Sequence, residues 1–366
     1  MKIVKYSFRE LLDEECRESL LSRDVLPITR HKLLSFVNNP NAKEDDVLLL
    51  VAYDGDAVVG YIGLLPDRVF IDGAERRIAW LTSWWVDPRY RRQGTGGFLL
   101  VTAMNHYPIV TSGSTDEADK VFAASKKLTL LKTLKGRELI VRSCSARFIR
   151  KKYPKLQGLT PVMECIDGFL NIFVDLRFLL WKRRHARLEP FLVEFVAEID
   201  HQTDRFIHEH RERELYRRGA EELNWAIRYP WVLPAPFADR TASRYYFSSL
   251  AKRFFHLNAK VYDHEKRMVG FVMFRVRDNH MTIPYIYYER SALERVVNLI
   301  GRCIVELGID SFTTYNQEIM SSLISFRFPY LFQINRSRNY YISTALDGTI
   351  LGSHVFQDGT GDTIFT

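Results

Sequence analysis

The 366-residue chain carries only four cysteines, Cys16, Cys144, Cys165 and Cys303. They are scattered and form no Cys-x-x-Cys pair, so neither a zinc site nor a disulfide framework is signalled, and reduced thiols in a cytoplasm are expected. The charged N-terminus, Met1 to Arg9, lacks the apolar core of a signal peptide, so no secretion is implied. Long hydrophobic runs are missing too. The most lipid-like stretch, Gly168 to Trp181, is interrupted by Asp175 and Arg177 and is too short to span a bilayer. With Lys182, Arg183 and Arg184 behind it, it reads as an interdomain helix with a solvated basic end or, as the lesser reading, as a helix lying on a membrane surface.

Two phosphate-loop signatures are also absent. No Gly-x-x-x-x-Gly-Lys-Ser/Thr occurs at the glycines Gly94, Gly96 and Gly97, and these do not fit Gly-x-Gly-x-x-Gly. What stands there is an apolar, strand-like run from Arg76 to Val86, an Asp87-Pro88 turn, a basic glycine-bearing loop, and an apolar segment opening a helix. Strand, glycine loop and helix in this order make an anion seat. Residues without Cβ let backbone N–H groups curl inward, the helix start adds unpaired N–H groups and a positive dipole end, and Arg89, Arg91 and Arg92 add charge. The formal net charge of +8 suits such a ligand without invoking nucleic acid. At 46% hydrophobic, the chain is long enough for two domains with full cores.

The segment Arg91-Arg92-Gln93-Gly94-Thr95-Gly96 resembles the pyrophosphate loop of the GNAT acetyltransferase superfamily, Arg/Gln-x-x-Gly-x-Gly/Ala, and Val86-Asp87-Pro88-Arg89-Tyr90-Arg91 resembles its lead-in. The surrounding pattern agrees. Strands are expected at Met1 to Ser7, Val47 to Tyr53, Ala57 to Leu65 and Pro108 to Thr111, with helices over Phe8 to Leu21, Thr29 to Phe36, the segment after the loop, and Asp116 to Lys127. A closing strand pair, Leu128 to Leu134 and Glu138 to Arg142, is expected about Lys135-Gly136.

The resemblance covers about residues 1–145 and implies that acetyl-CoA, as co-substrate, lies where the sheet splays beside the loop. Backbone of Trp84 and Val86 would hold the pantetheine arm, N–H groups of Arg91, Arg92, Gln93, Gly94, Thr95, Gly96 and Gly97 the diphosphate, and Ser112, Thr115 and Asp116 would lie on the arm's far side. The implied chemistry is direct attack of a neutral amine on the thioester. The family often places a Tyr acid on the helix after the fifth strand, and the nearest residue here is Phe122, which has no proton to give. Tyr107 or His106 are alternative donors, or the thiolate leaves unaided. For the base, Ser83 and Thr82 are candidates to order a water, with Asp87 and Glu117 the charged candidates. Each has a structural reading as well.

Residues 146–187 read as a helical, basic linker. Beyond it a second pattern repeats the first. Strand Phe191 to Ile199 and two helices, one capped by Asp200 and one from Ala220, precede Val261-Tyr262-Asp263 through Val269-Gly270-Phe271, which echoes Ala52-Tyr53-Asp54 through Val59-Gly60-Tyr61. Glu289-Arg290-Ser291-Ala292-Leu293 stands where the glycine loop would be. An acidic residue and no glycine there predict no CoA in this half. The expected fold class is therefore α/β with a mixed sheet, in two tandem GNAT-like domains, 1–145 and 188–366, each a splayed sheet flanked by helices. The expected function is N-acetyl transfer to an amine such as a nucleotide-linked amino sugar. Fem-type aminoacyl-tRNA-dependent transfer and non-catalytic CoA binding are the alternatives, and the pattern leaves an oligomer open.

Three features carry structural and functional readings side by side. His208-Glu209-His210 points its histidines different ways on a helix, which signals no metal. Asp358-Gly359-Thr360-Gly361-Asp362 is oxygen-rich and turn-like but lacks the Glu of a calcium loop, and a tail that docks near the acceptor site is its lesser reading. The aromatics Trp225, Tyr229, Trp231, Tyr245, Tyr246 and Phe247 read as core or as a stacking platform.

Overall fold

A computed structural model describes the chain except residues 72, 114, 147–148, 150–153, 186–191, 236–241 and 347–353, so Phe191, the expected start of a strand, and parts of the expected linker lie outside the described residues. Two compact units are woven from alternating stretches: Met1–Leu134, Glu198–Phe254 and Arg338–Thr366 make the first, and Lys135–Ala197 with Phe255–Ser337 make the second. These units do not coincide with the linear halves 1–145 and 188–366.

The first unit begins with β1 (Lys2–Ser7), and Ser7 then caps α1 (Phe8–Leu12) through a reciprocal capping box with Glu10. Asp13 accepts from the Cys16 N–H, breaking the expected single helix and starting α2 (Glu14–Leu21). Thr29 caps α3 (Arg30–Val37) as the sequence predicts. Strands β2 (Val47–Asp54), β3 (Ala57–Ile71) and β4 (Ala74–Val86) form an antiparallel meander with β1, and the first hairpin turns at Asp54-Gly55-Asp56. After α4 (Thr95–Met104) comes β5 (Ile109–Ser112), which runs parallel to β4, and then α5 (Asp116–Ser125). The core under this sheet includes Leu50, Ile62, Leu64, Leu99 and Ile109, none with more than trace exposure.

The expected closing hairpin at Lys135-Gly136 is absent. One continuous strand, β6 (Leu128–Ile140), runs through that point. Gly136 serves close approach here: a Cβ there would come within 2.6 Å of the Tyr315 ring and 2.9 Å of the Thr314 carbonyl. The strand beside β5 comes instead from near the C-terminus, where Tyr340, Tyr341 and Ile342 pair antiparallel with Ser112, Thr111 and Val110.

The second unit holds helix α6 (Thr160–His185) and strands β7 (Leu192–Val196), β10 (Phe254–Tyr262), β11 (Met268–Arg277), β12 (His280–Tyr288) and β13 (Ser311–Thr314), with helices α9 (Leu293–Glu306) and α10 (Gln317–Ser325). Its order repeats the first unit's: hairpin β10–β11, then β12, a helix, and β13 parallel to β12. Both repeats carry a two-against-one bulge in the strand before the helix. Ser83 and Trp84 face the single residue Ile62 in one, and Ile283 and Pro284 face Phe274 in the other.

Helices α7 (His201–His210) and α8 (Ala220–Arg228), read from the sequence as part of the second repeat, pack in the first unit, together with the short pair β8 (Leu233–Pro234) and β9 (Leu250–Ala251). The reason is visible in buried polar contacts. Arg218 donates to Asp67 at 2.7 Å, and the same carboxylate takes Trp80 Nε1 at 2.9 Å. Trp225 and Trp231 donate their indole N–H groups to the carbonyl and hydroxyl oxygens of Ser35, at 2.8 and 2.9 Å. The last long strand, β14 (Phe332–Ser343), lies across the unit boundary.

Candidate functional site

Strand β4 delivers the chain to the glycine loop. After Val86, Asp87 accepts the Arg89 N–H at 2.9 Å and the Arg89 guanidinium through Nε and Nη2 at 3.1 and 2.9 Å; the guanidinium holds the carboxyl below its ordinary range. Asp87 is thereby a turn-former rather than a free base. Tyr90 donates to Asp54 at 2.6 Å, and Arg91 Nε donates to the Val86 carbonyl at 3.2 Å, so the turn is pinned on both sides.

One turn of 3₁₀ helix, Arg91–Gln93, ends at Gly94, whose φ of 79° is the left-handed conformation that glycine adopts without strain. Helix α4 starts from it with no side chain capping its N-terminus. A helix start open to solvent, flanked by the exposed Arg91 and Arg92, favours an anion. Gly96 packs against the Trp84 ring, where a Cβ would stand 3.2 Å away, whereas around Gly97 the space is open. Thr95, by contrast, is buried and donates to the Met1 sulfur at 3.3 Å.

Beside this loop the sheet opens. Parallel pairing of β4 with β5 is confined to Ala79 with Ile109 and Trp80 with Val110, while β4 continues to Val86 and β5 to Ser112. Trp84 on one arm stacks on Phe122 with ring centroids 5.6 Å apart, and Phe122 in turn meets Tyr341 at 5.3 Å. Phe122, at the position of the expected acid, is a fully buried packing residue. Trp84 Nε1 and, on the other arm, Ser112 Oγ are buried with no hydrogen-bond partner, two polar atoms of the kind that an amide-bearing arm satisfies. Thr115 spends its hydroxyl capping α5 at the Ala118 N–H, 3.3 Å away.

The bulge in β4 carries the most unusual chemistry. Ser83 sits there at φ 50°, a left-handed conformation that costs a non-glycine residue energy and clusters at functional sites. Its hydroxyl accepts from Tyr245 at 3.0 Å and is hydrogen-bonded with Lys32 Nζ, which also donates to Thr82 Oγ1 at 2.9 Å. Lys32 projects from α3, is buried, and rests on the Trp231 ring with Nζ 3.8 Å from its centroid. Burial lowers its pKa from 10.5 to about 7, opposed only in part by the nearby Asp362.

Asp362 is held up in pKa by the same burial, against the pull of Lys32 and a hydrogen bond from Thr82. The tail that brings it in is anchored by Phe365, stacked on Trp231 at 4.7 Å and 12°. A titratable pair, Lys32 and Asp362, thus lies beside Ser83, and Ser83 and Asp362 are the partly accessible members of the cluster.

Of the candidates read from the sequence, Ser83 and Thr82 fall in this cluster and Asp87 lies at the end of the same strand. His106 and Tyr107 do not join them. Tyr107 is buried, with its pKa raised by that burial and then by a hydrogen bond to Asp46. Asp46 pairs with Arg77, six residues before Ser83, or roughly 20 Å along the strand. His106 has its pKa lowered by partial burial and by Lys5 of β1. Glu117 is exposed on α5.

Of the aromatics, Trp225, Trp231 and Tyr245 are core, whereas Tyr246 is exposed above Trp85, with centroids 6.0 Å apart. His208 is hydrogen-bonded with Arg211, and His210 Nδ1 with the Phe206 carbonyl at 2.8 Å. Sequence reasoning missed Lys32, Tyr245 and Asp362 as one group, because they come from positions more than a hundred residues apart. In the second unit, Glu289 at the loop position is paired with Arg267 at 2.7 Å.

A bulged, splayed mixed sheet with a glycine loop leading into a helix is a GNAT-like scaffold. Residues 6–108, the stretch that builds most of it, match the model of the Acetyltransferase (GNAT) family. The second unit repeats the scaffold without the glycine loop. Among solved structures, Saccharomyces cerevisiae N-myristoyltransferase with bound myristoyl-CoA is similar in fold, at 9% identity and TM-score 0.52, over 93% of this chain and 78% of that one. A conserved protein from Enterococcus faecalis V583, titled a probable N-acyltransferase, is similar at 11% identity and TM-score 0.52, over 93% of this chain and 71% of that one. No curated protein matches the chain in sequence.

Proposed function

We propose that the protein is an acyl-CoA-dependent N-acyltransferase working through its first unit, with acetyl-CoA as donor and an amine as acceptor. The observation that carries this reading is the join of two features on one strand: β4 bulges at Ser83 and, three residues later, ends in the open glycine loop. The loop and the start of α4 would take the diphosphate through Arg91, Arg92, Gln93, Gly94, Thr95, Gly96 and Gly97. Trp84, Val86, Ser112 and Thr115 would flank the arm.

Lys32 supplies what the sequence reading lacked. Neutral Lys32 Nζ accepts the proton that Ser83 Oγ passes on from the acceptor ammonium, the freed amine nitrogen bonds to the thioester carbonyl carbon, the C–S bond breaks, and the second proton that the nitrogen must lose to become an amide goes to the departed thiolate. A thiol whose ordinary pKa is about 8.5 leaves as thiolate without an acid, which suits a site where Phe122 replaces one. Asp362 and Tyr245 orient the relay from behind. The second unit has no part in CoA binding on this reading, because Glu289 sits where the phosphates would go.

Calorimetric titration with acetyl-CoA tests the assignment. One site per chain is expected, lost in Gly94→Glu, which places bulk and negative charge at a left-handed glycine facing the diphosphate. No binding by the wild type, or unchanged binding by the variant, sinks the site. Tight binding without turnover on any amine would make the chain a CoA-responsive regulator instead. A parallel titration with myristoyl-CoA reads the acyl length.

A further inference from the structure

Helix α6 shows an apolar stripe that, among the described residues, nothing in its own unit covers. Val162, Ile166, Phe169, Phe173, Leu176 and Leu180 follow one another at intervals of four, three, four, three and four residues, the heptad spacing of a helix that packs lengthwise on another. Leu170, Ile172 and Leu179 flank the stripe, and all nine side chains are between 44% and 63% exposed. The opposite face is already occupied. Val174, Phe178 and Trp181 lie in the second unit's core, and Asp167 takes hydrogen bonds from Ser143, Ser145 and Ala146. The helix is therefore held in place by one face and presents the other.

We infer that this stripe is the interface of a homodimer, in which α6 packs antiparallel against α6 of a second copy. Reversing the helix about residue 171 maps the stripe onto itself, pairing Val162 of one copy with Leu180 of the other, Ile166 with Leu176, and Phe169 with Phe173. Those pairs join first-type to second-type heptad positions, the layer arrangement of an antiparallel pair. The same reversal opposes the two helix dipoles.

The size is right as well. At these exposures the nine side chains present on the order of 900 Å² per copy, near the roughly 800 Å² per partner of a stable interface and above the largest patch of a typical monomer. A lipid surface is the weaker occupant. A membrane-lying helix carries cations along its polar face, whereas here that face is packed and the described cations of the helix, Arg177, Lys182 and Arg183, stand in its C-terminal third only.

Sedimentation of the full chain tests the inference. The wild type should sediment at twice the 42.9 kDa chain mass at micromolar concentration, and Phe169→Asp/Phe173→Asp should sediment as the single chain with unchanged circular dichroism. Where that variant melts early, Leu176→Glu makes the same measurement with one change at an exposed position. In a Cys165→Ser background, Leu170→Cys, near the two-fold axis, should cross-link to its own copy on oxidation, and Leu180→Cys, far from it, should not. A monomeric wild type overturns the proposal, as does a dimer that survives the charged variants or cross-links at both cysteine positions. A monomer that floats with phosphatidylserine vesicles overturns it in favour of a membrane surface.

Discussion

Lys32 is a lysine with the proton affinity of a base at neutral pH, held against an indole face with its nitrogen on two hydroxyls. A base acts in its neutral form, and the neutral fraction rises as pH rises through about 7. The expected kcat/KM therefore climbs about tenfold per pH unit below that value and levels above it. Lys32→Arg, which stays protonated, should lower activity by about 10²- to 10⁴-fold while leaving CoA affinity unchanged. A wild-type profile flat from pH 6 to 8, in the sense of no change in kcat/KM, would reject the role. The lysine also marks the fold's pH response. Between about 7 and 10.5 the unfolded chain holds this proton more firmly than the native one, so this group's contribution to stability rises with pH across that window.

The C-terminal tail acts as one element of the first unit. Phe365 is fully buried between Trp231 and Trp225, its rings 4.7 Å from each, and the Trp231 N–H donates to its carbonyl at 3.0 Å. Phe365→Ala should cost about 3–5 kcal/mol in denaturant unfolding. It should also depress turnover more than CoA affinity, because Asp362 rides on the same turn. A loss within about 0.5 kcal/mol would mean that the tail is only draped on the surface. The tail's Asp-Gly composition was legible as a docking segment, but nothing local named its berth. Strand β6 shows the converse. Lys135-Gly136 has the composition of a turn, and only the Tyr315 ring across from it explains why a glycine stands inside a straight strand.

Across the whole molecule, the two units exchange stretches of chain. The first needs residues 198–254 and 338–366 beside its N-terminal part: Arg218 neutralises Asp67, Trp225 and Trp231 cover Ser35, and Tyr340–Ile342 supply the neighbour of β5. A fragment ending at residue 145 would leave Asp67 without Arg218 and an edge of β5 unpaired. It should show no cooperative melting and no acetyl-CoA binding. A fragment that melts sharply and binds would show the N-terminal part to be self-sufficient.

What the sequence determined by itself was local. Ser7, Asp13, Thr29 and Asp200 cap helices through their own side chains, alternation sets the strands, and Gly94 to Gly97 announce an anion loop within a dozen residues, because hydrogen bonds and φ angles there depend on near neighbours. The repeat was legible for the same reason, as a period in local pattern. Tertiary structure alone decided which stretches share a core, and which side chains meet at Ser83. A buried lysine gains its altered proton affinity only from what surrounds it. Its surroundings, Thr82, Trp231, Tyr245 and Asp362, are neighbours in space and strangers in sequence.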